Sequence, residues 1–380
     1  MATFAIVAAA CGSSSKSNTS GSTSTSKTVK IGFVGALTGP NAQLGINEYD
    51  GEKLAVMQHN AKSGVTQVQL IPYDTTGLPT PAVSEAHKVV SDGDVAVVGP
   101  AFSGESQTAD PIFEAAGIVN ITASATNPKL AQQGFKFWHR AVGNDNSQGP
   151  AAADYILKKV NAKNVAVVDD NEDYSLGIAN IVASTLTSDG AKVVVRDHID
   201  PNAQDYSATV NKIKTASPDA IFYGGYYSEG GRFLKQIRDD GITVPFVSDD
   251  GAEDPKVITT AGASEAEGAY FTCPCGDITQ STNPEAKSFV SAYTSLNHAA
   301  PGTYSAEAYD ATNVILAAID AGNKTSSAIN NYLKTVNYVG LTKTIKFDSQ
   351  GEVIAPTIYL WQVKSGMLVL LGPVNQLISG

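Results

Sequence analysis

An α/β fold built from two βα-repeating halves is what this sequence predicts, and three observations carry it. Short apolar runs rich in β-branched residues recur along the chain. They are apolar at consecutive positions, as in strands buried on both faces. Stretches with helical spacing of apolar residues separate them, which makes βαβ units with right-handed crossovers. The pattern occurs twice, from Val29 to about Val142 and from about Gln148 to Cys273.

In the first series the strands are VKIGFVGAL (29–37), VQLIPYD (68–74), VAVVG (95–99) and IVNITAS (118–124). A helix over Gly51–Lys62 places Leu54, Ala55, Gln58 and Ala61 along one side. In the second series the strands are VAVVDD (165–170), KVVVRDHI (192–199), AIFYGGY (220–226), VPFVSDD (244–250) and AYFTC (269–273). The helix over Gly149–Val160 sets Ala152, Tyr155, Ile156 and Lys159 on one face. Helices over Ala208–Ala216 and Gly231–Asp240 follow, the latter turning Phe233, Leu234 and Ile237 inward. The chain ends with helices over Ser305–Ala321 and Ser326–Val336, a strand TIKFD (344–348), and a hairpin over 357–372 that turns at Lys364–Gly366. Strands this late imply that the chain returns to domains already built.

Composition sets the outer bounds. At about 150 residues per domain, the 380 residues make two domains once a tail is subtracted. Acidic residues outnumber basic ones, 37 to 26, for a net charge of −11. A nucleic-acid binder needs the opposite balance to displace counterions. No apolar run reaches the roughly 20 residues of a membrane-spanning helix. Three cysteines are too few for a disulfide scaffold.

The first residues read as an address. MATFAIVAAAC is a short apolar run closing on three alanines and Cys11. Of the 14 residues from Ser13 to Ser26, 11 are Ser or Thr, a tract that cannot bury apolar area. The order resembles the end of a bacterial lipoprotein signal peptide, in which the cysteine becomes the lipidated N-terminus. It departs from that pattern in lacking a positive n-region and in placing Ala8 where a larger aliphatic is commoner. Residues 12–27 would then be a tether averaging roughly 20–24 Å end to end.

Catalytic signatures are missing. No G-x-G-x-x-G follows a strand, and there is no G-x-x-x-x-G-K or H-E-x-x-H. His59, His87, His139, His198 and His298 show no metal-ligand spacing. No G-x-S-x-G surrounds Ser103. The run Asp169–Asp173 lacks the glycine and terminal glutamate of a calcium loop and reads as a solvated loop after a buried strand. Neither metal, cofactor nor enzymatic activity is expected.

Several stretches together resemble the amino-acid-binding proteins of bacterial ABC importers, of the leucine/isoleucine/valine type. They are IGFVGALTGPNAQLG (31–45), VGPAFSGESQTADPIFEAAGIVNITASATNP (98–128), GNDNSQGPAAADYILKKV (143–160), DYSLGIA (173–179), FYGGYYSEGG (222–231) and SDDGAED (248–254). The resemblance implies a type I periplasmic-binding-protein fold: two doubly wound α/β lobes joined by three crossover strands, with the ligand in the cleft. On this chain the crossovers fall near Gly143, Cys273–Cys275 and Gly351–Glu352. Lobe 1 is then 28–143 plus 276–351, and lobe 2 is 144–275 plus 352–380.

A free amino acid needs donors for its carboxylate, an acid for its ammonium, and an apolar wall. Ser103 opens a helix after VAVVG, and a helix N-terminus suits a carboxylate; a plain N-cap serine would look the same. The resemblance matches Ser103 to a carboxylate ligand, and Ser124 and Thr126 to positions touching the carboxylate and the ammonium. Tyr174, Tyr226 and Asp250 lie at or just past the C-terminal ends of strands, where open α/β sheets bind ligands. Asp250 matches an acidic position that pairs with the ammonium; Asp249 and Glu229 are its neighbouring alternatives. Leu44 falls where the branched-chain binders carry an aromatic in the side-chain pocket, so the wall stays apolar and changes shape.

The resemblance also places Cys273 and Cys275 at a crossover. Outside the cytoplasm, with Cys11 lipidated, they would be oxidised to each other; two reduced buried thiols are the alternative. The function expected is a monomeric, lipid-anchored extracytoplasmic receptor that captures an aliphatic amino acid by hinge closure and feeds an ABC permease. Two alternatives are a sensor of an amide, urea or aromatic acid coupled to a regulator, and an enzyme with an unrecognised site.

Overall fold

The computed structural model of the protein describes residues 28–379. Cys11 and the tract over 12–27 lie outside the described residues. The chain runs β1 (Val29–Gly35), α1 (Ala42–Asn60), β2 (Val68–Asp74), α2 (Pro79–Asp92), β3 (Ala96–Val98), α3 (Ser103–Ala116), β4 (Val119–Thr122) and β5 (Trp138–Arg140). These strands form one sheet in the order β2-β1-β3-β4-β5, parallel throughout.

The second run is α4 (Asp145–Lys158), β6 (Asn164–Asp169), α5 (Asp173–Ser188), β7 (Lys192–His198), α6 (Ser207–Ala216), β8 (Ala220–Gly224), α7 (Tyr227–Asp239), β9 (Phe246–Ser248), α8 (Pro255–Ala261), α9 (Ala263–Ala266) and β10 (Tyr270–Cys273). The chain then forms α10 (Pro284–Asn297), α11 (Ser305–Asp320), α12 (Ser326–Leu333) and a two-stranded ribbon of β11 (Tyr338–Val339) and β12 (Thr344–Ile345). It ends in the hairpin β13 (Tyr359–Lys364) and β14 (Met367–Pro373), then α13 (Val374–Leu377). The second sheet reads β14-β13-β10-β9-β8-β6-β7, with only the hairpin antiparallel.

Both sheets owe their form to the strands' composition. Val165, Ala166, Val167 and Val168 are wholly buried, as are Ile221 and Phe222 beside them. Strands covered by helices on both faces have no solvent side to leave polar. In the first sheet, Ile31, Val98 and Ile121 pack with Val314, Ile315 and Ile319 of α11, so a late helix completes an early core.

In each sheet the winding reverses beside its first strand: between β1 and β3, and between β6 and β8. Such switch points leave a crevice at the C-terminal strand ends. The two crevices face each other, because the chain crosses between the sheets three times. It crosses after β5, again after β10, and finally from the bridge Arg140↔Glu352 to β13.

Several elements differ from the sequence reading, α7 among them, which begins at Tyr227 instead of Gly231. α1 begins at Ala42, well before Gly51. Gly45 and Gly51 both fall inside it, and each lies against backbone. A Cβ on Gly45 would sit 2.1 Å from the Ala36 carbonyl oxygen, and one on Gly51 would sit 2.1 Å from that of Ser305. The helix carries glycine because its neighbours come that close. α4 likewise begins at Asp145, where the Asn144 side chain accepts from the Asn146 N–H. TIKFD joins neither sheet: the Asp310 carboxylate accepts from the N–H groups of Leu341 and Thr342, each at 2.8 Å, and holds the turn that folds β12 onto β11.

Candidate functional site

The opposed strand ends line one small shared space between them. From the first sheet's side it is lined by Leu44 and Glu48 of α1, Ala101, Phe102 and Ser103 after β3, Ser124 and Ala125 after β4, and Tyr304 before α11. From the second come Tyr174, Tyr226, Asp250 and Gly251. The structure thus brings together Leu44, Ser103, Ser124, Tyr174, Tyr226 and Asp250. Thr126 is not among the lining residues. It is buried, and its carbonyl accepts from the Asp145 N–H at 3.0 Å.

Ser103 is the first residue of α3. Glu105, in the same turn, accepts from the Phe102 N–H at 3.1 Å and from the Thr75 hydroxyl. The Ser103 hydroxyl accepts from the Asn127 N–H at 3.2 Å, and the Ser124 hydroxyl donates to the Ala101 carbonyl at 2.6 Å. These bonds tie the start of α3 to the loop after β4. That side offers a helix N-terminus with its positive dipole end.

The opposite side is acidic. Asp250 stands two residues past β9 and is buried. Its Oδ1 accepts from the Tyr174 hydroxyl and its Oδ2 from the Tyr304 hydroxyl, both at 2.7 Å. Burial pushes the Asp250 carboxyl above its ordinary range, while the Tyr174, Tyr304 and Gln148 side chains pull it back. Asp249 does not line this space and accepts from the Gly225 N–H at 3.1 Å. Glu229 caps α7, accepting from the Tyr226 N–H at 2.7 Å. The geometry therefore separates Asp250 from its two neighbouring alternatives. No lysine, arginine or histidine lines the space among the described residues.

Aromatic rings close the middle. Tyr226 packs on Phe102 at 5.1 Å, edge to face, and on Tyr174 at 5.3 Å. Further out the two halves are bonded to each other. Gln43 N–H donates to the Tyr227 hydroxyl at 3.1 Å, and Asn127 Nδ2 donates to the Asp173 carbonyl at 2.9 Å. In this structure the two halves are therefore in contact across the space.

Behind the site, the fully buried Arg140 forms an ion pair with Glu352, and its Nη1 donates to the Ala125 and Asn127 carbonyls, each at 2.9 Å. One guanidinium thus joins two crossovers to the site loop. At the third, Cys273 and Cys275 are joined by a disulfide, and the Trp361 indole donates to the Cys275 carbonyl at 3.2 Å.

Sequence reasoning missed Glu48, Phe102 and Tyr304. Glu48 lies four residues after Leu44, hence on the same helix face, which becomes visible once α1 is started at Ala42. Tyr304 precedes its helix in a left-handed conformation, φ 65°, and no pattern in the sequence marks it.

A closed cleft between two α/β lobes, with helix N–H donors on one side and a buried acid on the other, defines a two-lobed solute-binding protein. The chain belongs to the periplasmic binding protein family, whose model matches residues 28–367. It is 33% identical over 339 residues to the leucine-, isoleucine-, valine-, threonine- and alanine-binding protein of Pseudomonas aeruginosa, covering 88% of this chain and 90% of that one. It is 34% identical over 327 residues to the Leu/Ile/Val-binding protein of Escherichia coli, covering 86% and 88% of the two chains. The crystal structure of the leucine-binding protein LivK from Thermotoga maritima superposes with a TM-score of 0.85 at 31% identity, over 91% of this chain and 98% of that one. LivJ from Streptococcus pneumoniae, in complex with isoleucine, gives 0.83 at 29% identity, over 91% and 100%.

Proposed function

We propose that the protein captures an α-amino acid of aliphatic size by hinge closure and delivers it to an ABC permease. The observation that carries this is Asp250, a buried carboxylate held by two phenols in a space with no lining cation. A buried acid without a cation is unfavourable, and a ligand ammonium supplies one. Ser103 at the α3 N-terminus and the Ser124 segment receive the carboxylate, with Thr126 supporting that segment from behind. Tyr174, Tyr226 and Leu44 enclose the side chain. Ligand contacts on both lobes favour the closed state, which is the state the permease reads.

Lobe 1 comprises 28–143 plus 276–351, and lobe 2 comprises 144–275 plus 352–380; the three crossings between the sheets support this division. The receptor works outside the cytoplasm as a monomer, tethered through a lipid on Cys11. The apolar run before Cys11 and the Ser/Thr tract after it support the anchor.

Native mass spectrometry of protein purified without refolding tests the ligand class. A retained mass matching an amino acid is expected. A retained carboxylic acid or amide lacking an α-amino group would overturn the reading.

A further inference from the structure

Glu48 is the one lining residue, among those described, whose side-chain polar atoms both lack a hydrogen-bond partner. It is 1% exposed, so water does not serve it from outside. A carboxyl in that condition loses its hydration without replacement, and polar groups buried in this way call for an explanation.

Its position says what it meets. Glu48 and Leu44 are one turn apart on α1, so they present neighbouring patches to the same space. Leu44 is the side-chain wall of the proposed site. Glu105 and Glu307 act on Glu48, and Glu52, one turn further along α1, is raised by it in turn. The proposed ammonium partner, Asp250, has both oxygens held by phenols, whereas Glu48 shares its helix face with the side-chain wall.

We infer that Glu48 is a specificity-determining residue that hydrogen-bonds a polar group on the ligand's side chain, so that the site favours a small hydroxyl-bearing amino acid over its purely aliphatic isostere. This rests on the amino-acid reading of the cleft. Burial pushes the Glu48 carboxyl up to about 8, the Ser124 hydroxyl nearby pulls it down, and Glu105 and Glu307 add to the rise; the Ser124 hydrogen itself is given to the Ala101 carbonyl, so it does not serve Glu48. A carboxyl that is neutral at pH 7 both donates and accepts, which suits a hydroxyl. An aliphatic group at the same place leaves both oxygens without a partner. Sites built to bond a hydroxyl discriminate strongly against the analogue that lacks it.

Valine and threonine differ in one methyl for one hydroxyl at nearly equal volume. Isothermal titration calorimetry of the full chain with L-valine and L-threonine, each on wild type, Glu48→Gln and Glu48→Met, tests the inference. Wild type should bind threonine at least tenfold more tightly than valine. Glu48→Gln keeps a donor and an acceptor and should keep that preference. Glu48→Met should bind valine, which shows that it folds, and bring the two affinities within about threefold. A wild-type preference below tenfold, its loss in Glu48→Gln, or its survival in Glu48→Met overturns the inference and leaves the amino-acid reading standing. Binding of neither amino acid to wild type overturns both.

Discussion

The two halves of the cleft use the same residue type to opposite ends. On the first lobe's side, Glu48 and Glu105 are fully enclosed, and burial pushes both up to about 8. On the second lobe's side, Asp250 is equally enclosed but takes two phenolic hydrogen bonds. Glu48 has none, and Glu105 accepts from the Phe102 N–H and the Thr75 hydroxyl. Donors pull an acid down and desolvation pushes it up, and at all three acids burial is the largest influence. The number of carboxyls around a site thus says little about its charge.

The largest expected effect is at Asp250. Asp250→Ala removes the partner of a buried ammonium, a loss of about 3–5 kcal/mol, on the order of 10²–10³ or more in Kd. Circular dichroism should show an unchanged fold. Calorimetry finding the wild-type ligand bound within about threefold would remove Asp250 from the ammonium.

The phenols come next. Tyr304→Phe and Tyr174→Phe each delete one donor to a charged acceptor, about 1.5–3 kcal/mol. Each should weaken the ligand roughly ten- to hundredfold. Tyr304 lies on the far side of the cleft from Asp250, so its loss should also raise the open fraction seen by small-angle scattering. Equal scattering from the two variants would mean that the phenols act only on charge.

A smaller effect separates the acids by pH. Glu48 and Glu105 titrate near 4.5 when unfolded and near 8 when folded. Between those values the folded state binds more protons, so stability falls as pH rises from about 4.5 to 8 and levels off above. Glu48→Gln is isosteric and cannot ionise. Its unfolding temperature should match wild type near pH 4.5, fall less steeply above it and lie highest relative to wild type near pH 8. Parallel curves would show that Glu48 is not a buried titrating group.

The smallest total effect belongs to Leu44→Trp. It alters only the apolar wall, so the affinity for the preferred ligand should change less than the order among leucine, isoleucine, valine, alanine and phenylalanine. An unchanged order would place Leu44 outside the side-chain contact.

Much of this architecture is legible in the amino-acid sequence. Strands buried on both faces announce themselves by consecutive apolar residues, and the residues just past their ends are the ones a doubly wound sheet gathers. Asp250, Tyr226 and Ser103 stand out for that reason. Long-range contacts hide the rest. The close approach that explains Gly51 inside a helix is to Ser305, far along the chain, so no local pattern carries α1 back to Ala42. With α1 started late, Glu48 has no face to share with Leu44. Tyr304 and Arg140 depend on partners from other segments, Asp250 and Glu352, which no local period encodes. TIKFD has a strand's composition, but the Asp310 bonds draw it into a ribbon.

Asn127 carries a consequence for timing. Its backbone N–H is bonded to Ser103, its carbonyl to Arg140, and its side chain to the Asp173 carbonyl on the other lobe. A single residue therefore touches the ligand's helix, the crossover and the opposing lobe. Any rotation that parts the lobes has to break the Asp173 bond, and it pulls on the other two as it does so. Escape is slowed where entry is not, since an arriving ligand meets lobes that have not yet made that bond. Residence time, more than the rate of encounter, is what this residue sets.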